Sequence, residues 1–534
     1  MQFNSFEFAW FFAVFFPLYW LLPHRARNVL LLAGGYFFYA CWDWRFLSLL
    51  VISTVMDFYC GLAVDRAEDP VRRKLVVALS MALNLGFLGF FKYANFFSAS
   101  LQALLLRLGV SIPGTQLDIL LPIGISFYTF QSMSYVIDVY RRDIKPTRNF
   151  IEFAAFVSFF PHLVAGPIMR PTTLLPQIEE KRRFRLAQFY EGAYLIFWGL
   201  AKKVVIADNL AKSVVDPLFD QWTTLHGGQA LLAVYAFAFQ IYCDFSGYTD
   251  AARGIAKCLG FELALNFNLP YFATSPKDFW GRWHISLSTW LRDYLYIPLG
   301  GSRGQGPIRV GNVLLAVLVA GFGVGLGLYV LDQSRVAALV AKHPYLTWIA
   351  TGGLILLCFS LLRLKSTEQL TARNLMLTMI IGGLWHGAAW TFVIWGFYHG
   401  ALLVAHRAVE PWLSRIRPTD VVERTCWKGL RIFATFNLVC VGWLFFRARS
   451  LDQALGMLRA IVGHPAIPPA VILLPFLVCV IPLVLMQAAQ YGARDLNVVA
   501  RTPWYLRAVL YTAIFYAYVL GGEFGGSQFI YFQF

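Results

Sequence analysis

The sequence predicts an all-α integral membrane protein that crosses its bilayer many times. Three observations carry this expectation. Of 534 residues, 58% are hydrophobic and only 14% are charged, against about 25% charged in a soluble domain. Polar side chains are too few to cover a water-soluble particle of this size. Apolar runs recur from one end of the chain to the other, near the ~20 residues a helix needs to cross a bilayer. None shows the period-2 alternation of a membrane barrel, and a backbone in lipid that is not in a closed barrel must satisfy itself as helix.

The runs lie at 6–22, 28–42, 46–64, 75–91, 117–139, 151–164, 189–205, 230–248, 310–331, 345–362, 375–389, 390–404, 429–446, 470–486 and 505–520. Several are short, which predicts re-entrant or half-length segments. The first follows no basic residue, and no small-residue cleavage site precedes Pro23, so it is expected to stay as a span. No repeat, low-complexity stretch or linker divides the chain. One transmembrane domain over 1–534 is expected, with a motif-rich core at 117–408, further helices at 429–520 and a tail at 521–534. The longest polar loops, such as 411–428, are the only candidate boundaries.

Lys and Arg set orientation. The loops HRAR (24–27), DRAEDPVRRK (65–74) and RRDIKPTR (141–148) belong on the cytoplasmic side. Between them lie two helix pairs, 28–64 turning at Asp43 and 75–139 turning after Lys92, so all three loops share one side. Arg501 and Arg507 then put the tail 521–534, with one acid and no base, on the other side.

The net charge of +16 would suggest nucleic acid in a soluble protein. Here the bases fall between apolar runs, so membrane lipid is the expected neighbour and nucleic acid is not. Eight cysteines form no CxxC and lie in or beside apolar runs, as buried thiols do. With no HExxH spacing, no metal site is expected; without GxxxxGK or GxSxG, neither ATP nor a self-contained serine hydrolase is.

One stretch departs from the pattern. Residues 275–309 are too charged to span and too aromatic for a plain loop. Phe279, Trp283, Leu287, Trp290 and Tyr294 fall at helical spacing. This predicts either an interfacial helix anchored by its aromatic rings or a helix dipping into a protein-lined cavity.

Among residues that could carry chemistry, His386 stands out in GGLWHGAAW (382–390), inside an uncharged apolar segment. A titratable group at membrane depth marks a functional site by default. Gly382, Gly383 and Gly387 remove side chains around it, which suits close approach of a substrate or of a neighbouring helix. His284, in RWHIS, is the second candidate; an interfacial anchor is its plainer reading. Among carboxylates, Asp244, Asp250 and Asp293 read most simply as ion-paired or capping, and Asp57 as a partner for a base on another helix. An intramembrane His without ATP suits acyl transfer from a thioester, where a base near neutral pKa activates a hydroxyl. It suits proton-coupled transport almost as well.

Longer motifs separate the two. The segments 121–141 (LPIGISFYTFQSMSYVIDVYR), 159–170 (FFPHLVAGPIMR), 242–252 (YCDFSGYTDAA), 266–301 (NFNLPYFATSPKDFWGRWHISLSTWLRDYLYIPLGG) and 382–400 (GGLWHGAAWTFVIWGFYHG) follow FFAVFFPLYWLLP at 11–23. Together they resemble the membrane-bound O-acyltransferase (MBOAT) family. The likeness is greatest to the bacterial branch containing the membrane subunit of alginate O-acetyltransferase, and it covers roughly residues 1–450.

The resemblance implies a helical bundle with re-entrant segments and a central tunnel, in a bacterial cytoplasmic (inner) membrane. It implies that His386 is the general base or positions the acceptor hydroxyl, and that His284 completes the site. Trp385 and Trp283 beside them, and Arg292 and Asp293 of the RDY element, are implied as support. The implied donor is cytoplasmic acetyl-CoA, used as substrate with no bound cofactor. The implied acceptor route leads to a periplasmic SGNH-hydrolase-type acetyltransferase and a polysaccharide such as alginate. The last residues, FIYFQF, resemble an FxYxxF tail that implies Tyr531 as an acyl-carrying nucleophile, with Gly521, Gly522, Gly525 and Gly526 as a flexible tether. D-alanyl or other acyl transfer to a cell-wall polymer is the alternative within the fold. A transporter or flippase is the alternative outside it, although the inverted repeats and charge-lined broken helices it predicts are not seen.

Overall fold

The computed structural model describes residues 1–107, 110, 117–303, 311–317, 319–320, 353, 355–357, 360–416, 418–524 and 529–530. Every regular element among them is helical. Six helices among them are long and apolar enough to cross a membrane: His24–Arg66, Pro70–Ala103, Gly227–Cys258, Trp390–Leu413, Val421–Arg447 and Ala470–Ala493. The chain is a multi-pass membrane protein, as its composition predicts.

Two compact units divide the chain. The larger comprises Met1–Leu88, Leu121–Ser288 and Pro418–Phe534; the smaller comprises Gly89–Leu120 and Thr289–Arg417. At the heart of the larger unit the helices Leu186–Ala201 and Gly227–Cys258 lie backbone to backbone. Gly192 faces Gly254 and Gly199 faces Gly247, and a Cβ on any of the four would collide with the opposite main chain. Small residues one heptad apart permit this approach where no hydrophobic force separates helix from lipid.

The pair 28–64 turns where expected. Asp43 ends one helix, caps the following 3-10 turn by accepting from Arg45 N at 3.0 Å, and ion-pairs with the Arg45 guanidinium. The second pair turns later than expected. The helix does not end at Lys92 but passes through a π-helical turn, Gly89–Tyr93, and continues as Ala94–Arg107. The chain still returns, through Ile125–Arg141, and Arg73 donates to Tyr140 O at 2.8 Å. With His24 Nε2 3.1 Å from Glu179 O and Glu179 hydrogen-bonded to Thr147, the three basic loops meet at one end of the unit.

Other expected spans are broken or extended. Residues 151–164 form two short helices, Phe150–Val157 and Phe160–Leu163, buried in protein from Phe153 onward. The loop 411–428 shrinks because Trp390–Leu413 and Val421–Arg447 grow into it from both sides. The runs 310–331 and 345–362 lie largely outside the described residues. Asp57 meets no base among the described residues: its carboxylate accepts from Ser80 Oγ at 2.6 Å and Asn84 Nδ2 at 2.9 Å, fully buried. Hydroxyl and amide donors here do the work expected of a cation.

Candidate active site

The stretch 275–309 forms no single helix. Ser275 caps Pro276–Trp280, the chain turns, and Ile285–Leu291 follows, continuing into a π-turn at Arg292–Tyr296. The break falls at His284, whose φ of +43° lies in the left-handed region, an uncommon position for a non-glycine residue and one found often at functional sites. The aromatic stripe survives the break: Phe279, Trp283, Leu287 and Trp290 are all buried in protein. Trp283 packs on Phe267 at 4.9 Å and Trp443 at 4.7 Å. These rings serve the protein interior and not the lipid interface.

His284 is fully buried. Asn266 organises it. Its Oδ1 accepts from Ser286 N at 3.1 Å and Ser286 Oγ at 2.9 Å, and lies 3.1 Å from His284 Nδ1. A backbone N–H fixes that atom as the amide oxygen, so Nδ1 carries the imidazole proton and Nε2 is the basic nitrogen. Ser286 Oγ also accepts from Ile168 N at 3.0 Å, which brings in the 159–170 motif. Phe245 stands edge-on to the imidazole, with ring centroids 4.7 Å apart. Burial pushes the imidazole pKa down to about 3, so the ring is neutral.

His386 belongs to the smaller unit. It is the last residue of Thr367–His386, after which extended Gly387 leads into Trp390–Leu413. The two helices form a close hairpin because Gly383 lies against Phe392 O and Gly396, and Gly400 against Met376. The buried imidazole stands edge-on to Trp385 and Trp395, each centroid 5.0 Å away. Trp395 also packs against buried His399, at 4.8 Å.

The helix end beneath His386 is capped from Gly89–Tyr93. Lys92 Nζ donates to Trp385 O at 2.5 Å and His386 O at 3.2 Å, and Tyr93 Oη donates to Leu384 O at 2.7 Å. These carbonyls have no partner within their own helix, and a cation at that end complements the helix dipole.

Among known proteins, the profile of the membrane-bound O-acyltransferase family matches residues 142–354. The chain is 41% identical over 467 residues to a protein of Azotobacter vinelandii named probable alginate O-acetylase AlgI, covering 86% of this chain and 78% of that one. A protein of the same name from Pseudomonas aeruginosa is 40% identical, with 86% and 74% covered. The peptidoglycan O-acetyltransferase of Helicobacter pylori is 33% identical, with 83% and 76% covered.

This chain belongs to the membrane-bound O-acyltransferase family. It is therefore an acyltransferase, and the resemblance read from its motifs holds.

In this O-acyltransferase Arg292 and Asp293 ion-pair with each other at 2.7 Å, with the Arg292 side chain largely exposed. They lie in the smaller unit with Trp385 and His386, whereas Trp283 and His284 lie in the larger. Asp244 and Asp250 are ion-paired as expected, to Lys203 and Lys202, each at 2.7 Å. Tyr531 lies outside the described residues, but Phe529 and Ile530 just before it are buried in the larger unit. Gly521 and Gly522 do not behave as a loose tether. Gly521 O accepts from Asn209 Nδ2 at 2.7 Å, and Glu523 N donates to Val204 O at 3.0 Å. Lys92, Tyr93 and Asn266 were not singled out from the sequence. A lysine among apolar residues in GFFKYANFF was the available signal for the first.

Proposed function

We propose that this enzyme takes an acetyl group from cytoplasmic acetyl-CoA and delivers it for O-acetylation of an extracytoplasmic polysaccharide such as alginate. The observation that carries this reading is the likeness to alginate O-acetylases over most of both chains, joined to an imidazole held at the end of the helix bearing the 382–400 motif. His386 takes the proton of the acceptor hydroxyl as its oxygen attacks the thioester carbonyl. The C–S bond breaks, the proton passes to the leaving thiolate, and an ester and free CoA result. His284, neutral and with Nε2 as its basic nitrogen, is assigned to the same transfer, with Trp283 as support in its own unit and Trp385, Arg292 and Asp293 as support in the unit of His386.

Tyr531 is the hydroxyl we assign as first acceptor, from which a periplasmic SGNH-hydrolase-type partner moves the acetyl group to the polymer. The membrane is then the bacterial inner membrane. The test is transfer of label from radiolabelled acetyl-CoA in proteoliposomes by wild type, His386→Ala and Tyr531→Phe. Loss of label transfer in the first variant and of polymer acetylation in the second is expected. Equal transfer by wild type and His386→Ala would remove the histidine from the mechanism.

A further inference from the structure

The chain after its last long helix is fastened to the larger unit at successive points. Beyond the bonds at Gly521 and Glu523 N, the Glu523 carboxylate ion-pairs with Lys212 at 2.8 Å. All three contacts fall on one element, the alternating π- and α-helical turns that run through 202–215. The same element supplies Lys203, which is buried and lies 2.7 Å from Asp244 Oδ1 and 2.8 Å from Asp208 Oδ1. The other oxygen of Asp244 accepts the backbone N–H of Ile530 at 2.8 Å. Phe529 and Ile530 are 1% and 3% exposed, so this is an interior contact and not a frayed end resting at the headgroups.

The placement of Phe529 gives the contact its meaning. Its ring packs on Tyr248 at 4.7 Å and on Phe245 at 5.9 Å, and Phe245 is the ring standing edge-on to His284. Adjacent residues of one helix turn thus face two ways: Asp244 holds the tail, and Phe245 separates the tail from the imidazole. Lys202, Lys203 and Arg253 balance Asp208, Asp244 and Asp250 in ion pairs. The three bases and three acids match one for one, and the second Asp244 oxygen is left to accept an N–H. A carboxylate this deep is costly unless paired and hydrogen-bonded. Lys203 pairs with one oxygen, and the tail supplies the hydrogen bond to the other.

We infer that Asp244 is a positioning residue, whose carboxylate docks the segment at Phe529 and Ile530 beside the His284 layer and so gives the chain leading to Tyr531 a fixed point of departure. The functional part of this inference rests on the reading of Tyr531 as acetyl acceptor. The docking itself does not.

Hydrogen exchange of the full-length protein in lipid nanodiscs tests it. Peptides covering 525–534 should exchange slowly at Ile530 in wild type, and about tenfold faster or more in Asp244→Ala, with peptides from 367–413 unchanged. Because Asp244→Ala also strands Lys203, Ile530→Pro provides a second variant that removes the same hydrogen bond from the tail side. Both should lower kcat for acetyl transfer to polymer by about tenfold while leaving the KM for acetyl-CoA in place. Equal exchange at Ile530 in wild type and Asp244→Ala, together with full kcat in Ile530→Pro, would overturn the docking. Full activity of Tyr531→Phe with the exchange difference intact would instead sink the acceptor reading and leave the docking standing.

Discussion

Lys92 holds His386 by its main chain: the ammonium bridges the carbonyl oxygens of Trp385 and His386 at 2.5 and 3.2 Å. The last carbonyls of the helix Thr367–His386 have no backbone N–H of their own helix to accept from. The π-turn Gly89–Tyr93 puts one extra residue into a turn and so brings both Lys92 and Tyr93 onto that helix end. Such turns recur at functional positions.

Lys92→Met should therefore loosen the last turn beneath His386. We expect a kcat lowered by about tenfold and a stability loss of about 1–3 kcal/mol for the stranded carbonyls. Tyr93→Phe, which leaves only Leu384 O unpaired, should cost about 1 kcal/mol and less activity. Initial rates in proteoliposomes with thermal unfolding of the same preparations measure both. A Lys92→Met enzyme with unchanged kcat would contradict the capping role.

Asn266 should matter more than its neutral side chain suggests. One oxygen serves His284 Nδ1, Ser286 N and Ser286 Oγ, so Asn266→Leu strands three buried donors. A loss of about 3 kcal/mol or more is expected, together with loss of transfer activity as the imidazole proton loses its fixed position. Asn266→Asp keeps the acceptor oxygen and should retain more of both. Circular dichroism melts and transfer assays on the two variants rank them, and the reverse order would refute the assignment of Nδ1 as donor.

His284 also sets a pH dependence. Its folded pKa is pushed down by burial to about 3 from an ordinary 6.5. Above 6.5 the ring is neutral folded or unfolded, and it contributes no pH slope. Between about 6.5 and 3 the unfolded chain binds the proton and the folded protein does not, so stability falls as the solution is acidified. His284→Gln should flatten this acid limb of the unfolding temperature against pH. An identical slope in wild type and variant would show that other groups produce it.

Much of this was legible in the sequence, for identifiable reasons. Hydropathy locates helices because lipid leaves the backbone no alternative, and the motifs located His284 and His386. The pair turning at Asp43 was readable because Asp43 caps its own turn. Hydropathy failed where apolar segments are buried in protein and not in lipid, as at Phe150–Val157 and Phe160–Leu163. A short run cannot reveal which solvent surrounds it. Helical spacing over 275–309 correctly found which side chains are buried. It missed the break at His284, because a left-handed residue is imposed by the hydrogen bonds of Asn266 and leaves no periodic trace. The bases Lys92, Lys202 and Lys203 drew no notice because the Trp385 and His386 carbonyls and the Asp250 and Asp244 carboxylates they meet are distant in sequence.

The hairpin carrying His386 supplies a last contrast between glycines. At Gly383 a Cβ would collide with Phe392 O and the Gly396 backbone, which cannot give way without parting the two helices. Gly429, within the helix Val421–Arg447, has nothing within 4 Å of its added Cβ. Gly383→Ala should therefore displace the helix end bearing His386, costing about 1–3 kcal/mol as overpacking does and most of the acetyl transfer. Gly429→Ala should be neutral or stabilising by about 0.5–1 kcal/mol, because alanine loses less backbone entropy in a helix. Thermal unfolding and label transfer on the two purified variants decide the matter. If Gly383→Ala keeps full activity, close approach of these helices is not what holds His386 in place.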